Sequence, residues 1–85
     1  MTHRTTEAFW RHYHELPGRI QQLAQEKYRL LENNPRHPSL HFKKIREGLW
    51  SARVNREYRT VALRKPEAFF WIWIGPHDEY ERLIS

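Results

Sequence analysis

Two groups of side chains in this sequence have the types needed to bind a phosphate and to move protons. The cations on three successive predicted strands are Lys43, Lys44, Arg53 and Arg59. His77 follows the last predicted strand, and Tyr80 comes three residues later. Arginine binds phosphate oxygens through two parallel hydrogen bonds, and lysine adds a point charge. Together with an imidazole, such cations suit the cleavage of an RNA phosphodiester, although a lone histidine after a strand is more often a capping or surface residue.

The positive charge is concentrated in the middle of the chain. The net charge is +5 over 85 residues, and the isoelectric point is near 10.0. Residues 35–65 hold nine basic and two acidic side chains, a net charge of +7, whereas residues 1–34 carry +1 and residues 66–85 carry −3. This distribution indicates a polyanionic partner, either a nucleic acid or an acidic protein, with a merely solvated face as the alternative.

Several kinds of site are disfavoured by what the sequence lacks. There is no cysteine, which excludes disulfides and thiolate chemistry and fits a cytoplasmic location. The glycines form no phosphate-binding loop, and no nucleophile motif occurs. His37 and His41 are four residues apart, but Pro38 between them argues against a helical metal site. No apolar run is long enough to span a bilayer, so we expect no membrane association.

The segment from Phe69 to Ile74 is the most apolar of the chain, because every residue in it is aromatic or β-branched. Such a strand belongs inside a sheet. Regular alternation predicts that Phe70, Ile72 and Ile74 share one face, and that the opposite face carries Phe69, Trp71 and Trp73. Gly75 and Pro76 then end the strand.

Apolar periodicity predicts two helices followed by four strands. Phe9, Tyr13 and Leu16 form one helical stripe, and a longer stripe runs from Ile20 to Leu31. Strands are predicted at residues 41–45, 49–55, 58–64 and 68–75, and their short connections favour antiparallel neighbours. We therefore expect one α+β domain, residues 1–85, with an N-terminal helical hairpin packed on an antiparallel β-meander of about four strands.

Several short segments resemble one known family in their order and spacing. They are Phe9-Trp10, Leu16-Pro17, the loop from Asn34 to Lys43, Trp50-Ser51-Ala52-Arg53-Val54, Glu57-Tyr58-Arg59 and the segment from Trp73 to Tyr80. Together they resemble the RelE/ParE superfamily of bacterial toxins from type II toxin–antitoxin systems, over nearly the whole chain. Many members begin with an additional strand, for which only residues 1–4 are available here.

The resemblance implies a fold with the active groove on the sheet face opposite the helical hairpin. It also implies ribosome-dependent, metal-independent cleavage of mRNA, which inhibits translation, without a cofactor. Arg59 matches an arginine that contacts the scissile phosphate, His77 matches a histidine used as acid or base, and Tyr80 approximates a tyrosine that some members use. The residues expected to bind RNA are Lys43, Lys44, Arg53, His37 and His41.

Two departures from the family pattern leave other functions open. The loop carboxylate that some members use as a base has no match, because Ser39 and Leu40 stand there. Asp78 and Glu79 lie beside His77 in the sequence, where negative charge would repel phosphate. The alternatives are a non-enzymatic ParE-like toxin acting on DNA gyrase, and an inactive relative that only binds its antitoxin.

The resemblance and the charge also predict a partner protein. A chain this basic would pair with an acidic antitoxin whose Asp or Glu side chains face Arg53, Arg59 and the two lysines. Its apolar anchors would rest on aromatic residues such as Trp71 or Trp73, if these are exposed. The further partners that we expect are the ribosome and mRNA.

Overall fold

The computed structural model describes residues 2–85, which form three helices and one five-stranded sheet. The helices are α1 (Glu7–His14), α2 (Gly18–Asn33) and α3 (His77–Ile84), and a 3₁₀ turn spans Pro38–Leu40. The strands are β1 (Thr2–Thr5), β2 (Lys43–Arg46), β3 (Leu49–Arg53), β4 (Tyr58–Arg64) and β5 (Ala68–Pro76). Their order in the sheet is β1-β5-β4-β3-β2. The predicted α+β class is confirmed.

The helical hairpin forms where the apolar stripes predict it. Thr6 caps α1, because its hydroxyl accepts a hydrogen bond from the backbone N–H of Phe9 at 3.2 Å. Pro17 precedes α2, and its carbonyl accepts from the N–H of Ile20 at 2.9 Å. The side chain of Gln21 joins the helices, since its amide donates to the carbonyl of Tyr13 at 3.2 Å. The two helices therefore form one layer that packs on the sheet.

The sheet contains one more strand than the four predicted from the sequence. β2 to β5 form the expected antiparallel meander. β1 is added at the edge and pairs in parallel with β5, with Thr2 opposite Ala68 and Thr5 opposite Trp71. The sequence Thr-His-Arg-Thr has no apolar alternation, so only its pairing with a distant strand identifies it.

Two predictions are wrong because β5 contains a bulge: that Phe69, Trp71 and Trp73 share one face, and that Phe70, Ile72 and Ile74 share the other. Ala62 of β4 pairs with Trp71, but its neighbour Val61 pairs with Trp73, so Ile72 is an extra residue in β5. An extra residue reverses the alternation beyond it. Trp71 and Phe69 consequently face the helical hairpin, whereas Trp73 faces the opposite side of the sheet.

The bulge gives the sheet an apolar core on each side. The larger core lies under α1 and α2 and contains Phe9, Tyr13, Leu16, Ile20, Ala24, Leu31, Leu40, Ala52, Val54, Ala62, Phe69, Trp71 and Ile74. The smaller core, formed by Val61, Trp73 and Tyr80, seats α3. Gly75 leaves room for the indole ring of Trp73, since a Cβ atom at Gly75 would lie 2.6 Å from Cζ2 of that ring.

Neither tryptophan proposed as an anchor for a partner is available at the surface. Trp71 is 2% exposed and Trp73 is 8% exposed, because both serve the two cores. The exposed large apolar side chains are Trp10 and Leu83. Within residues 2–85, no helix is long and apolar enough to cross a membrane.

His3 fastens the edge strand β1 to the aromatic core. Its ring stacks on that of Phe69, with centroids 5.3 Å apart, and its Nδ1 atom accepts from Nε1–H of Trp71 at 3.1 Å. Its carbonyl oxygen accepts from the hydroxyl of Tyr28 at 3.1 Å. Burial lowers the pKa of His3 below 6.5, against an opposing contribution from Glu32.

This geometry predicts that the protein loses stability as His3 gains a proton. A lowered folded-state pKa means that the stabilisation is complete above the unfolded pKa and is lost as pH falls below it. Protonation also removes the acceptor for Trp71. We expect the free energy of unfolding, measured with urea from about pH 7 to about pH 5, to fall more steeply in the wild type than in His3→Gln. Equal slopes would contradict this account.

Candidate active site

A polar cleft lies on the sheet face opposite the helical hairpin, between the sheet and α3. Its volume is about 130 Å³. The residues that line it are His41, Lys43, Ser51, Ala52, Arg53, Arg59, His77, Tyr80 and Glu81. Six residues predicted to act or to bind RNA therefore meet in one place, although they come from four separate parts of the chain.

The strand register brings the cations together. Lys43 pairs with Ser51 across β2 and β3, and Arg53 pairs with Arg59 across β3 and β4. Ser51 and Arg53 share a face of β3, because they are two residues apart. Lys43, Arg53 and Arg59 thus lie on the side of the sheet that α3 only partly covers.

Arg59 is held by the backbone rather than by a carboxylate. Its Nη1 atom donates to the carbonyls of Asn55, of Arg56 at 3.2 Å and of Tyr58 at 3.1 Å. Burial lowers the pKa of Arg59, and the positive charge of Arg53 lowers it further. Within residues 2–85, no carboxylate lies within ion-pair distance of Lys43, Arg53 or Arg59. The cleft is therefore suited to an external anion.

His77 is the first residue of α3 and lies at the mouth of the cleft. Its backbone N–H donates to the carbonyl of Glu57 at 2.7 Å, which ties the start of α3 to the connection between β3 and β4. Its Nε2 atom lies 3.0 Å from Oε1 of Glu81, one helical turn later, and its side chain is 40% exposed. The imidazole is thus fixed at its backbone and its ring, yet remains accessible.

Tyr80 forms part of the cleft floor. It is 5% exposed, and its hydroxyl donates to Oγ of Ser51 at 3.0 Å. The rings of Tyr80 and His77 have centroids 6.2 Å apart. In this arrangement, Tyr80 anchors α3 to β3 beneath the imidazole, and the catalytic role expected for it stays a prediction.

His41 reaches the cleft from an unusual backbone conformation. It follows the 3₁₀ turn with φ 45° and ψ 40°, in the left-handed region, which a non-glycine residue occupies only where its surroundings hold it. Leu40, 1% exposed, anchors the turn in the core. A second imidazole thereby joins His77 at the same cleft.

Two residues expected to bind RNA lie outside the cleft. Lys44 pairs with Trp50 in the sheet, so it belongs to the other face from Lys43, and its Nζ lies 3.0 Å from Glu47. His37 begins the 3₁₀ turn, where its Nδ1 accepts from the backbone N–H of Ser39 at 3.2 Å. Both residues stabilise turns that flank the site.

The acidic residue that lines the cleft is not one that the sequence singled out. Asp78 and Glu79 follow His77 directly, but neither lines the cleft, whereas Glu81 does. Residues i and i+4 share a helix face. Glu81 is four residues after His77, so this spacing on a helix is the signal in the sequence that identifies it. In the described part of the chain, no group of three or more His, Asp or Glu side chains is arranged to hold a metal ion.

The solved structures that this chain matches include toxins of toxin–antitoxin systems. The toxin–antitoxin complex RelBE2 from Mycobacterium tuberculosis matches at 26% identity and a TM-score of 0.70, over 89% of this chain and 96% of that chain. The RelB–RelE complex from Methanococcus jannaschii matches at 13% identity and a TM-score of 0.74, over 96% and 99%. The YoeB/ParE toxin from Agrobacterium tumefaciens matches at 19% identity and a TM-score of 0.67, over 91% and 99%.

The chain matches no protein-family model and no curated protein. Its helical hairpin, meander and C-terminal helix nevertheless define an α+β fold shared with small toxins over nearly their whole length. The chain therefore has the RelE/ParE fold, and the predicted resemblance to the RelE/ParE superfamily is confirmed.

The buried hydrogen bond between Tyr80 and Ser51 predicts a measurable loss on substitution. Tyr80→Phe removes the donor and leaves the buried hydroxyl of Ser51 without this partner, which costs about 1–3 kcal/mol. Urea unfolding of Tyr80→Phe, Ser51→Ala and the double variant measures it. We expect the double variant to be less destabilised than the sum of the two single variants. Additive losses would show that the two hydroxyls do not interact.

Proposed function

We propose that this protein is the toxin of a type II toxin–antitoxin system and that it cleaves mRNA on the ribosome without a metal ion. The observation that carries the proposal is the meeting of two imidazoles, His41 and His77, with Lys43, Arg53 and Arg59 in one cleft. The fold shared with RelE- and YoeB-type toxins supports it.

The cleft holds the groups that transesterification of RNA requires. One imidazole takes the proton of the 2′-hydroxyl, and the 2′-oxygen forms a bond to phosphorus. The bond from phosphorus to the 5′-oxygen breaks, and the other imidazole gives that oxygen a proton. The products are a cyclic 2′,3′-phosphate and a 5′-hydroxyl, so the protons balance between His41 and His77.

Arg59 is the residue best placed to stabilise the charge that develops on the phosphorane. Its guanidinium is fixed by three backbone carbonyls, so little reorganisation is needed when the charge appears. Arg53 lies directly opposite it, and Lys43 adds charge from the next strand. Cations that have no carboxylate partner stabilise a transition state with negative charge on its phosphate oxygens. They are less suited to a neutral ligand.

We further propose an acidic antitoxin as the partner of this chain. Two of the similar structures are complexes with RelB-type antitoxins, and the net charge of +7 over residues 35–65 favours an acidic segment. An apolar groove of about 280 Å³ beside α3 supplies the anchoring surface, although Trp73 itself is mostly buried there. Its lining is Leu49, Val61, Ile72, Trp73, Leu83 and Ile84.

The proposed activity predicts cleavage that depends on His77. We expect the wild-type chain to cut mRNA in a cell-free translation reaction, with 5′ ends mapped by primer extension. His77→Ala should lower the cleavage rate by roughly 10²–10⁴-fold, the range that a general acid or base contributes. His14→Ala is the matched control, because His14 is exposed on α1 and does not line the cleft.

If translation stops without cleavage and His77→Ala inhibits equally, the enzyme assignment is wrong. A supercoiling assay with DNA gyrase then separates a ParE-like inhibitor from a chain that only binds its antitoxin. Co-purification from the native host tests the partner, and recovery of the chain alone at low salt, with no small acidic protein encoded beside it, would remove the antitoxin proposal.

Arg53 and Arg59 face each other on β3 and β4, so we expect this pair to lower the stability of the folded protein. Like charges directly opposite on neighbouring strands repel each other, so Arg53→Gln should raise the free energy of unfolding by about 0.2–1 kcal/mol while weakening RNA binding. Arg36→Gln is the control, since Arg36 is exposed in the loop before β2. Calorimetry and filter binding measure the two effects, and a gain in RNA affinity for Arg53→Gln would contradict the assigned role.

A further inference from the structure

Glu81 is the one carboxylate among the residues that line the cleft, and it contacts an imidazole. Its Oε1 atom lies 3.0 Å from Nε2 of His77, and the side chains are 57% and 40% exposed. The two residues are one turn apart on α3, which spans eight residues. The smaller core beneath α3 holds Tyr80, which lies between them in sequence. The contact is therefore built into a seated helix.

The contact determines which ring nitrogen of a neutral His77 carries the proton. A carboxylate is only an acceptor, so a lone pair on Nε2 would face its negative oxygen at 3.0 Å, and a proton on Nε2 is favoured instead. A neutral imidazole then has its lone pair on Nδ1. The contact with Glu81 consequently favours one tautomer of the two.

We propose that Glu81 is a positioning residue that holds Nε2–H of His77 and leaves Nδ1 as the nitrogen that exchanges a proton with RNA. This inference rests on the proposed function and deepens it. As a base, Nδ1 takes the proton of the 2′-hydroxyl; as an acid, the protonated ring gives the Nδ1 proton to the 5′-oxygen. In both directions Glu81 keeps its contact with Nε2 and exchanges no proton.

The electrostatics of the cleft support a specific role for Glu81. A carboxylate beside Lys43, Arg53 and Arg59 reduces the attraction for phosphate, and its charge opposes in part the lowering of the pKa of Arg59 that burial and Arg53 cause. Glu79 shows that α3 carries acidic side chains away from this cleft, since it lines a different depression with His12. A carboxylate that served only solubility would be unfavourable beside these cations. At the same position, Glu81 is well located to orient His77.

The first test is the tautomer itself, which is independent of any activity. Two-bond ¹H–¹⁵N spectra of the uniformly labelled protein at alkaline pH, where imidazoles are neutral, report which ring nitrogen carries the proton. We expect His77 in the wild type to show Nε2–H. Glu81→Ala should shift His77 towards a mixture of tautomers, whereas Glu79→Ala should leave it unchanged.

The second test separates positioning from charge by comparing matched variants. Glu81→Ala and Glu79→Ala remove the same charge and the same number of atoms from one helix. We expect Glu81→Ala to lower kcat on the order of 10-fold relative to Glu79→Ala, within the contribution of a general acid or base, without raising KM. Glu81→Gln, whose amide oxygen still accepts a hydrogen bond, should restore part of kcat and the Nε2–H tautomer.

Two results would overturn the inference. One is an Nδ1–H tautomer of His77 in the wild type, and the other is a kcat for Glu81→Ala within twofold of that for Glu79→Ala. A wild type that cleaves no RNA, but whose His77 tautomer depends on Glu81, would refute the proposed function and retain the orienting contact. The two claims therefore fail separately.

Discussion

The bulge at Ile72 is the feature on which the rest of the structure depends. Without it, Trp73 would lie on the same face as Trp71, under the helical hairpin. With it, Trp73 and Val61 form an apolar seat on the opposite face, where Tyr80 packs. Because that seat holds α3, one inserted residue in β5 makes the sheet carry a core on each side.

The second core determines where the chemistry is located. α3 begins directly after β5, so its first residue, His77, is delivered at the end of the most buried strand. Tyr80 then fastens the helix through Ser51 of β3, which neighbours the strand that holds Arg59. His77 and Tyr80 thus come from a strand end and a single helical turn, whereas His41 comes from the longer connection between α2 and β2.

The sequence predicted the elements well, but not every side-chain position. The apolar stripes and turn residues were sufficient for α1, α2 and β2 to β5, because these patterns are local. The parallel pairing of β1 is not local, and Thr2–Thr5 has no apolar pattern to reveal it. The sequence did not predict the bulge, because an unbroken apolar run has the same pattern in either register.

The candidate site was predicted more completely than the strand faces. Arg53 and Arg59 were placed correctly, since alternation along β3 and β4 is regular next to the cleft. Lys44 was predicted to bind RNA together with Lys43. Consecutive residues of a strand point to opposite faces, and this principle alone is sufficient to place the two lysines on different faces. The segment that resembles the toxin family ends at Tyr80, so the sequence did not single out Glu81, which completes the helical turn from His77.

The connection between β3 and β4 holds the phosphate-binding and proton-transferring groups in register. The side-chain oxygen of Asn55 accepts from the backbone N–H groups of Glu57 and Tyr58, each at 2.9 Å, which closes the turn. Two carbonyls of this turn accept hydrogen bonds from different partners. The carbonyl of Asn55 accepts from Arg59, and that of Glu57 accepts from the N–H of His77. One short turn thereby fixes a guanidinium and an imidazole relative to each other through backbone atoms. The Asn55 side chain therefore supports both groups through the turn, together with the backbone bonds from Val54 and Asn55 to the carbonyl of Tyr58.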